Sequence, residues 1–206
     1  VLVKICGITS LESATTAADA GADFIGFVFA NSKRKISPEK AASIAHSLPA
    51  SVQKIGVFVN ETAAYMNETA KTVGLDMIQL HGEEPAETAE QLTYPIIKAF
   101  PANIDTLQEI NQYPCDYFLL DTPRASSRGG SGVPFDWSIL ENLRLDQSKF
   151  ILAGGLTPEN IGIAIHTVKP AAVDVSSGVE TNGKKDPLKI RQFITRAKQT
   201  RKDELQ

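Results

Sequence analysis

Short apolar runs rich in Val, Ile and Phe return eight times along this chain, each separated from the next by a longer amphipathic or polar stretch, and that alternation restricts the fold more than any other feature. The runs are Leu2 to Cys6, Phe24 to Phe29, Lys54 to Val59, Met77 to His81, Ile96 to Phe100, Tyr117 to Asp121, Phe150 to Gly154 and Ala172 to Ser176. Bounded by turn residues and this short, they read as buried strands. The stretches between them carry helix signals. Ser37-Pro38-Glu39 and Thr157-Pro158-Glu159 each set a capping hydroxyl before a proline at the first helical position, and Ser10-Leu11-Glu12-Ser13 opens another helix. Glu61 to Val73, Pro85 to Leu92, Ile104 to Gln112, Asp136 to Leu143 and Pro187 to Lys198 fill most of the remaining gaps.

Strands that alternate with helices need crossover connections, so the sheet is expected to be parallel. Eight such units predict an α/β fold, a closed (β/α)8 TIM barrel. No linker or composition shift divides the chain, and its 206 residues fit a single domain over residues 1–206. The rival is an open doubly wound sheet. Its glycine-rich dinucleotide turn does not follow the first run, where Cys6-Gly7-Ile8-Thr9 stands instead.

Net charge is −3, so no basic excess is available to neutralise nucleic-acid phosphates or an anionic membrane, and neither is expected as a partner. An anionic ligand must then be held by a local site. Two cysteines, Cys6 and Cys115, are too few for a disulfide framework and suit a reducing cytoplasm. No apolar run approaches the length of a membrane span, and no leader pattern opens the chain. Lys202-Asp203-Glu204-Leu205 spells a retention signal, but Gln206 follows it. A cytoplasmic enzyme is expected.

In a barrel of this kind the active site lies at the C-terminal ends of the strands, and alternate residues point inward. Lys4 and Cys6 share a face of the first run, Gln79 and His81 of the fourth, Leu119 and Asp121 of the sixth, Asp174 and Ser176 of the eighth. One register for each strand turns all of them inward. Cys6 is then either a small buried hydrophobe or a reactive thiol. A free thiol has a pKa of about 8.5, and Lys4 and the helix opening near Ser10 would favour its thiolate. Asp121 ends a strand too apolar to solvate it, so burial is expected to raise its carboxyl and suit it to general-acid work; the alternative is an ion pair with Lys4 or a loop cap.

His81 is either a hydrogen-bonded structural residue or a member of the site. No second His, Cys or carboxylate stands at metal-ligand spacing from it, and no metal site is expected. Arg34, in Asn31-Ser32-Lys33-Arg34-Lys35, follows the second run directly and points a guanidinium at the same mouth, where it suits a planar carboxylate. Gly154-Gly155 and Ser176-Ser177-Gly178 form glycine-containing turns after the seventh and eighth runs, where such barrels hold phosphate on backbone N–H groups. The long stretch Pro123 to Pro134 reads as a lid or binding loop. Thiol, carboxyl, cationic clamp and phosphate cradle around one mouth indicate acid–base work on a small phosphorylated substrate.

With these residues assembled, the chain resembles the phosphoribosylanthranilate isomerase family, single-domain barrels of tryptophan biosynthesis. The motifs run nearly end to end. They are Lys4-Ile5-Cys6-Gly7-Ile8-Thr9, Gly26-Phe27-Val28-Phe29 with Ser32-Lys33-Arg34-Lys35-Ile36-Ser37-Pro38, Gly56-Val57-Phe58-Val59-Asn60 and Gln79-Leu80-His81-Gly82 in the first half. Leu120-Asp121, Leu152-Ala153-Gly154-Gly155-Leu156 and Asp174-Val175-Ser176-Ser177-Gly178-Val179-Glu180 follow in the second. The resemblance implies an Amadori rearrangement without metal or organic cofactor, by a monomer or homodimer. It implies that Asp121 protonates the furanose oxygen and that Cys6 removes the C2′ proton. Arg34 would hold the anthranilate part, and the two turns the phosphate. Two alternatives stay open. One is another phosphosugar barrel, such as indole-glycerol-phosphate synthase or the isomerase of histidine biosynthesis, whose pattern carries aspartate where Cys6 stands. The other is a non-catalytic phosphosugar-binding barrel.

Overall fold

The computed structural model describes residues 1–102, 110, 112–121, 140 and 146–203. Its strands are β1 (Leu2–Cys6), β2 (Phe24–Val28), β3 (Gln53–Phe58), β4 (Met77–Leu80), β5 (Ile96–Pro101), β6 (Tyr117–Asp121), β7 (Phe150–Ala153) and β8 (Ala172–Val175). Each pairs in parallel with the next and β8 returns to β1, closing the expected TIM barrel. Phe29, Val59, His81, Gly154 and Ser176, expected as last strand residues, fall just beyond the ladder, where the chain turns out of the sheet at the mouth.

Among the described residues the helices are α1 (Leu11–Asp19), α2 (Pro38–Ala45), α3 (Ala63–Val73), α4 (Ala86–Ala89), α5 (Ile161–Val168) and α6 (Pro187–Asp203). Ser10, Ser37 and Thr62 cap the first three, each hydroxyl accepting the backbone N–H three residues on. The expected cap at Thr157 is not one. Its hydroxyl accepts from Glu159 N inside a turn, its own N–H donates to Asn160 Oδ1 at 2.8 Å, and α5 starts only at Ile161. The helix expected over Pro85 to Leu92 contracts to α4, whose Pro85 cap offers no side-chain acceptor. Apart from residues 110, 112 and 140, the expected helices over 104–112 and 136–143 lie outside the described residues, as does the 123–134 loop.

The period-two pattern builds two cores. Ile55, Met77, Ile97, Ala99, Leu119, Ile151, Ala153 and Ala172 fill the inside of the barrel, and the alternate residues pack outward under the helices with Ala14, Met66, Phe193 and Ile194. A recurring clasp fixes the lower rim. Asp23, Asp76 and Asp116, each just before an even-numbered strand, accept the N–H of Val3, Lys54 and Ile96 on the preceding strand at 2.7, 2.7 and 2.8 Å. After β8 the chain makes a short 3₁₀ turn, Ser177–Val179, and a hairpin of β9 (Glu180–Thr181) with β10 (Lys184–Lys185). Asn182 and Gly183 form its loop, both at positive φ, the pairing that a tight two-residue hairpin favours. No helix among the described residues is long and apolar enough to cross a membrane.

Candidate active site

The mouth opens into a cavity of about 1010 Å³, and all ten residues singled out above, Cys6, Arg34, His81, Asp121, Gly154, Gly155, Asp174, Ser176, Ser177 and Gly178, lie on its wall. Strand parity brings them there: the inward faces of β1, β4, β6 and β8 end at Cys6, His81, Asp121 and Ser176.

Cys6 ends β1 and is buried. Burial pushes its thiol up, against the downward pull of Lys4; Asp174 adds to the rise and Lys185 opposes it weakly. Burial prevails, so the resting group is the thiol. Lys4 stands two residues back on the same face, fully buried, and donates to Asp174 Oδ2 at 3.0 Å. Lys4 is therefore not a partner of Asp121.

Asp121 is the last residue of β6, one step beyond the apolar Phe118, Leu119 and Leu120, and its side chain is 48% exposed. The expected burial is not found, because the carboxylate projects past the apolar run into the open mouth. His81 faces it, with Nε2 3.6 Å from Asp121 Oδ2, and His81 Nδ1 meets Gln79 Nε2 at 2.8 Å. With the Gln79 amide as donor, the neutral imidazole carries its proton on Nε2, toward Asp121.

Arg34 is held from behind. Its Nε and Nη2 donate to the two carboxylate oxygens of Glu180 at 2.6 and 2.7 Å, a bidentate pair in which Nη1 takes no part. The planar carboxylate that the guanidinium meets inside the protein is thus Glu180. Lys185 completes the group, donating to Glu180 Oε1 at 2.8 Å and to Ser176 O at 2.9 Å. Although burial opposes it, the two cations keep the Glu180 carboxyl below its ordinary range.

The two glycine turns touch. Gly154 and Gly155 both have positive φ, 84° and 60°, a run that other residues rarely adopt. A Cβ on Gly178 would come 1.8 Å from Leu156 O, so only glycine lets the turn after β8 pack on the turn after β7. Ser176 Oγ donates to Cys6 O at 3.2 Å, tying the β8 turn to the end of β1.

Sequence reasoning gave Glu180 and Lys185 no place in the site, and it turned Gln79 inward beside His81 without giving it a role. Asn182-Gly183 was a readable sign of the hairpin that carries the first two. Two polar atoms on the cavity residues are buried with no hydrogen-bond partner, Gln79 Oε1 and Asp174 Oδ1. Such orphans in a cavity wall are acceptors open to a ligand's hydroxyls. Among the described residues no three His, Cys, Asp or Glu side chains gather as a metal site would require.

This arrangement has close counterparts. The model of the family described as N-(5′-phosphoribosyl)anthranilate (PRA) isomerase matches residues 3–196. The N-(5′-phosphoribosyl)anthranilate isomerase of Oceanobacillus iheyensis is 53% identical over 206 residues, covering 100% of both chains. Among solved structures, monomers generated from the dimeric enzyme of Thermotoga maritima superpose with a TM-score of 0.84 at 43% identity, over 97% of this chain and 99% of that one. A phosphoribosylanthranilate isomerase in complex with reduced 1-(o-carboxyphenylamino)-1-deoxyribulose 5-phosphate gives 0.83 at 43% identity, over 97% and 99%. The chain belongs to the N-(5′-phosphoribosyl)anthranilate isomerase family.

Proposed function

We propose that this chain rearranges N-(5′-phosphoribosyl)anthranilate to 1-(2-carboxyphenylamino)-1-deoxy-D-ribulose 5-phosphate, and that Asp121 and Cys6 divide the proton transfers of that Amadori rearrangement between two sides of one mouth. Asp121 protonates the furanose oxygen, and the bond from that oxygen to C1′ opens to a Schiff base. Cys6, as thiolate, takes the proton from C2′, which the iminium makes acidic; the resulting enolamine then gains a proton at C1′ and gives up its C2′ hydroxyl proton to solvent as C2′ becomes the ketone. Each step moves a proton, so neither metal nor organic cofactor has a part in it. One observation carries the reading: a carboxyl from β6 and a thiol from β1 line the same cavity as two touching glycine turns.

Ring opening needs a donor and the next step an acceptor, and such work is served by two groups in unlike environments. Asp121 is half exposed beside His81, and Cys6 is buried beside Lys4. His81 Nε2–H steadies the Asp121 carboxylate once it has given up its proton. Arg34 receives the anthranilate carboxylate on the side away from Glu180. Backbone N–H groups of Gly154, Gly155, Ser177 and Gly178 hold the phosphate, with Lys185 adding positive charge beneath them. Asp174 Oδ1 accepts from a ribose hydroxyl.

The substrate is a small phosphorylated molecule, made and consumed in the cytoplasm, where we place the enzyme. The dimeric Thermotoga relative supports a homodimer beside the monomer; sedimentation distinguishes them. Activity is tested directly by mixing the protein with anthranilate, phosphoribosyl pyrophosphate and the coupling transferase. Loss of the fluorescent intermediate is expected. No loss above the uncatalysed rate would overturn the reading.

A further inference from the structure

An ammonium taken wholly out of water is costly unless it is paired. Lys4 has 0% exposure inside the barrel, and none of the roles above uses it. Register explains how it is paired: Lys4 stands opposite Asp174 in the ladder that closes the barrel, and Nζ reaches Oδ2 at 3.0 Å. The pair is nevertheless incomplete, because Asp174 Oδ1 is buried without a partner.

The other neighbour of Lys4 is the thiol. Cys6 and Lys4 share one face of β1, and both lean over Gly26 of β2, which stands opposite Cys6. A Cβ on Gly26 would lie 3.0 Å from Cys6 Sγ and 3.2 Å from Lys4 Cε, so the bare glycine leaves room for the sulfur and the lysine stem side by side. Burial alone would pull the Lys4 ammonium down, but the charges of Asp174 and of the nearby Cys6 sulfur raise it. It stays charged at any working pH.

We propose that Lys4, held by Asp174, is a positioning residue whose ammonium is the counter-cation of the Cys6 thiolate during turnover. The thiol proton leaves through the mouth to solvent, the thiolate stands against Lys4, and the C2′ proton then restores the thiol. The charged groups that face the sulfur are Lys4, Asp174, Lys185 and Arg34. Lys185 and Arg34 share the charge of Glu180. Lys4 stands two residues from Cys6 on the same face of β1, and its stem lies beside the sulfur over Gly26.

This inference rests on Cys6 being the proton acceptor, and its test is independent of turnover. The ultraviolet absorbance of the thiolate is titrated in the full chain carrying Cys115→Ser, with the Cys6→Ser protein as blank. Lys4→Met is expected to move the Cys6 inflection up by about one unit or more, and Asp174→Asn, which frees Lys4 from its competitor, to move it down. At neutral pH Lys4→Met should lower kcat about tenfold, the matching loss of thiolate, with KM little changed. Should Lys4→Met not fold, the direction of the Asp174→Asn shift decides. An inflection unmoved by these substitutions, or raised by Asp174→Asn, overturns the proposal. Normal turnover by Cys6→Ala would instead refute the acceptor role while leaving the titration result standing.

Discussion

Two lysine–carboxylate pairs are buried on opposite sides of the barrel wall, and they differ in how completely they are satisfied. Lys98, whose strand neighbours Ile96 and Phe100 pack in the outer core, donates to Glu84 Oε2 at 2.7 Å and Gly82 O at 2.6 Å. Glu84 Oε1 accepts from Asn60 N at 2.8 Å and Gly82 N at 3.1 Å, and the ammonium lies 5.4 Å from the Tyr113 ring. That knot holds the loops after β3 and β4 beneath His81. Lys4–Asp174, on the inner side, keeps one carboxylate oxygen unpaired and shares the face of β1 that carries the Cys6 thiol. A closed polar network rigidifies, while one left open at a cavity is available to a ligand. The same chemistry serves architecture outside the barrel and the reaction inside it.

The largest expected effect tests the architectural side. Lys98→Met leaves Glu84 buried and unpaired and should cost about 3–5 kcal/mol of stability, read from urea unfolding. A loss below about 1 kcal/mol would break the contrast. Asp121→Asn is the opposite case, since the carboxylate is exposed and His81 is 3.6 Å away. It should lower kcat by at least about 10²-fold and leave the unfolding midpoint nearly in place; near-normal turnover would remove Asp121 from the acid role.

Glu180→Gln lies between, because its partner pair is complete but Arg34 faces the cavity. Losing a charged, bidentate support should raise KM about tenfold with a smaller change in kcat. An unchanged KM would mean that Arg34 needs no backing. The smallest effect is a matter of pH. Burial tends to raise the Glu84 carboxyl, but Lys98 and the N–H donors outweigh it and hold it below its ordinary value. A depressed folded pKa contributes stability that is fully present above the unfolded value and lost as pH falls through the folded one. Wild-type stability should therefore decline below about pH 4.3, where an unfolded glutamate takes up its proton, and the decline should be shallower in Glu84→Gln.

The strand-and-helix pattern was legible in the residues because burial leaves a period: apolar runs mark the strands, and the last inward residue of each run names Cys6 and Asp121. Their surroundings were not legible. Lys4 and Asp174 are 170 positions apart and meet only because β8 closes on β1; Arg34 and Glu180, 146 apart, meet across the same seam. Lys4 was therefore open to assignment as a partner of Asp121, and Arg34 read as a free clamp. Asp121 itself was expected to be buried because strand apolarity was carried one residue too far, onto the rim. At Thr157 the local signal was real, but the hydroxyl is consumed by its own turn. Nothing in the composition of Glu180 to Lys185 exceeded two residues per strand, so only Asn182-Gly183 could have announced the hairpin.

The most direct test of the acid–base division uses substrate deuterated at C2′ and follows deuterium released to water. The wild-type protein should release it as product forms, and Cys6→Ala, with its fold intact by circular dichroism, should release it at least about 10²-fold more slowly. Release by Cys6→Ala at the wild-type rate would contradict the account, because the C2′ proton would then be leaving to another base.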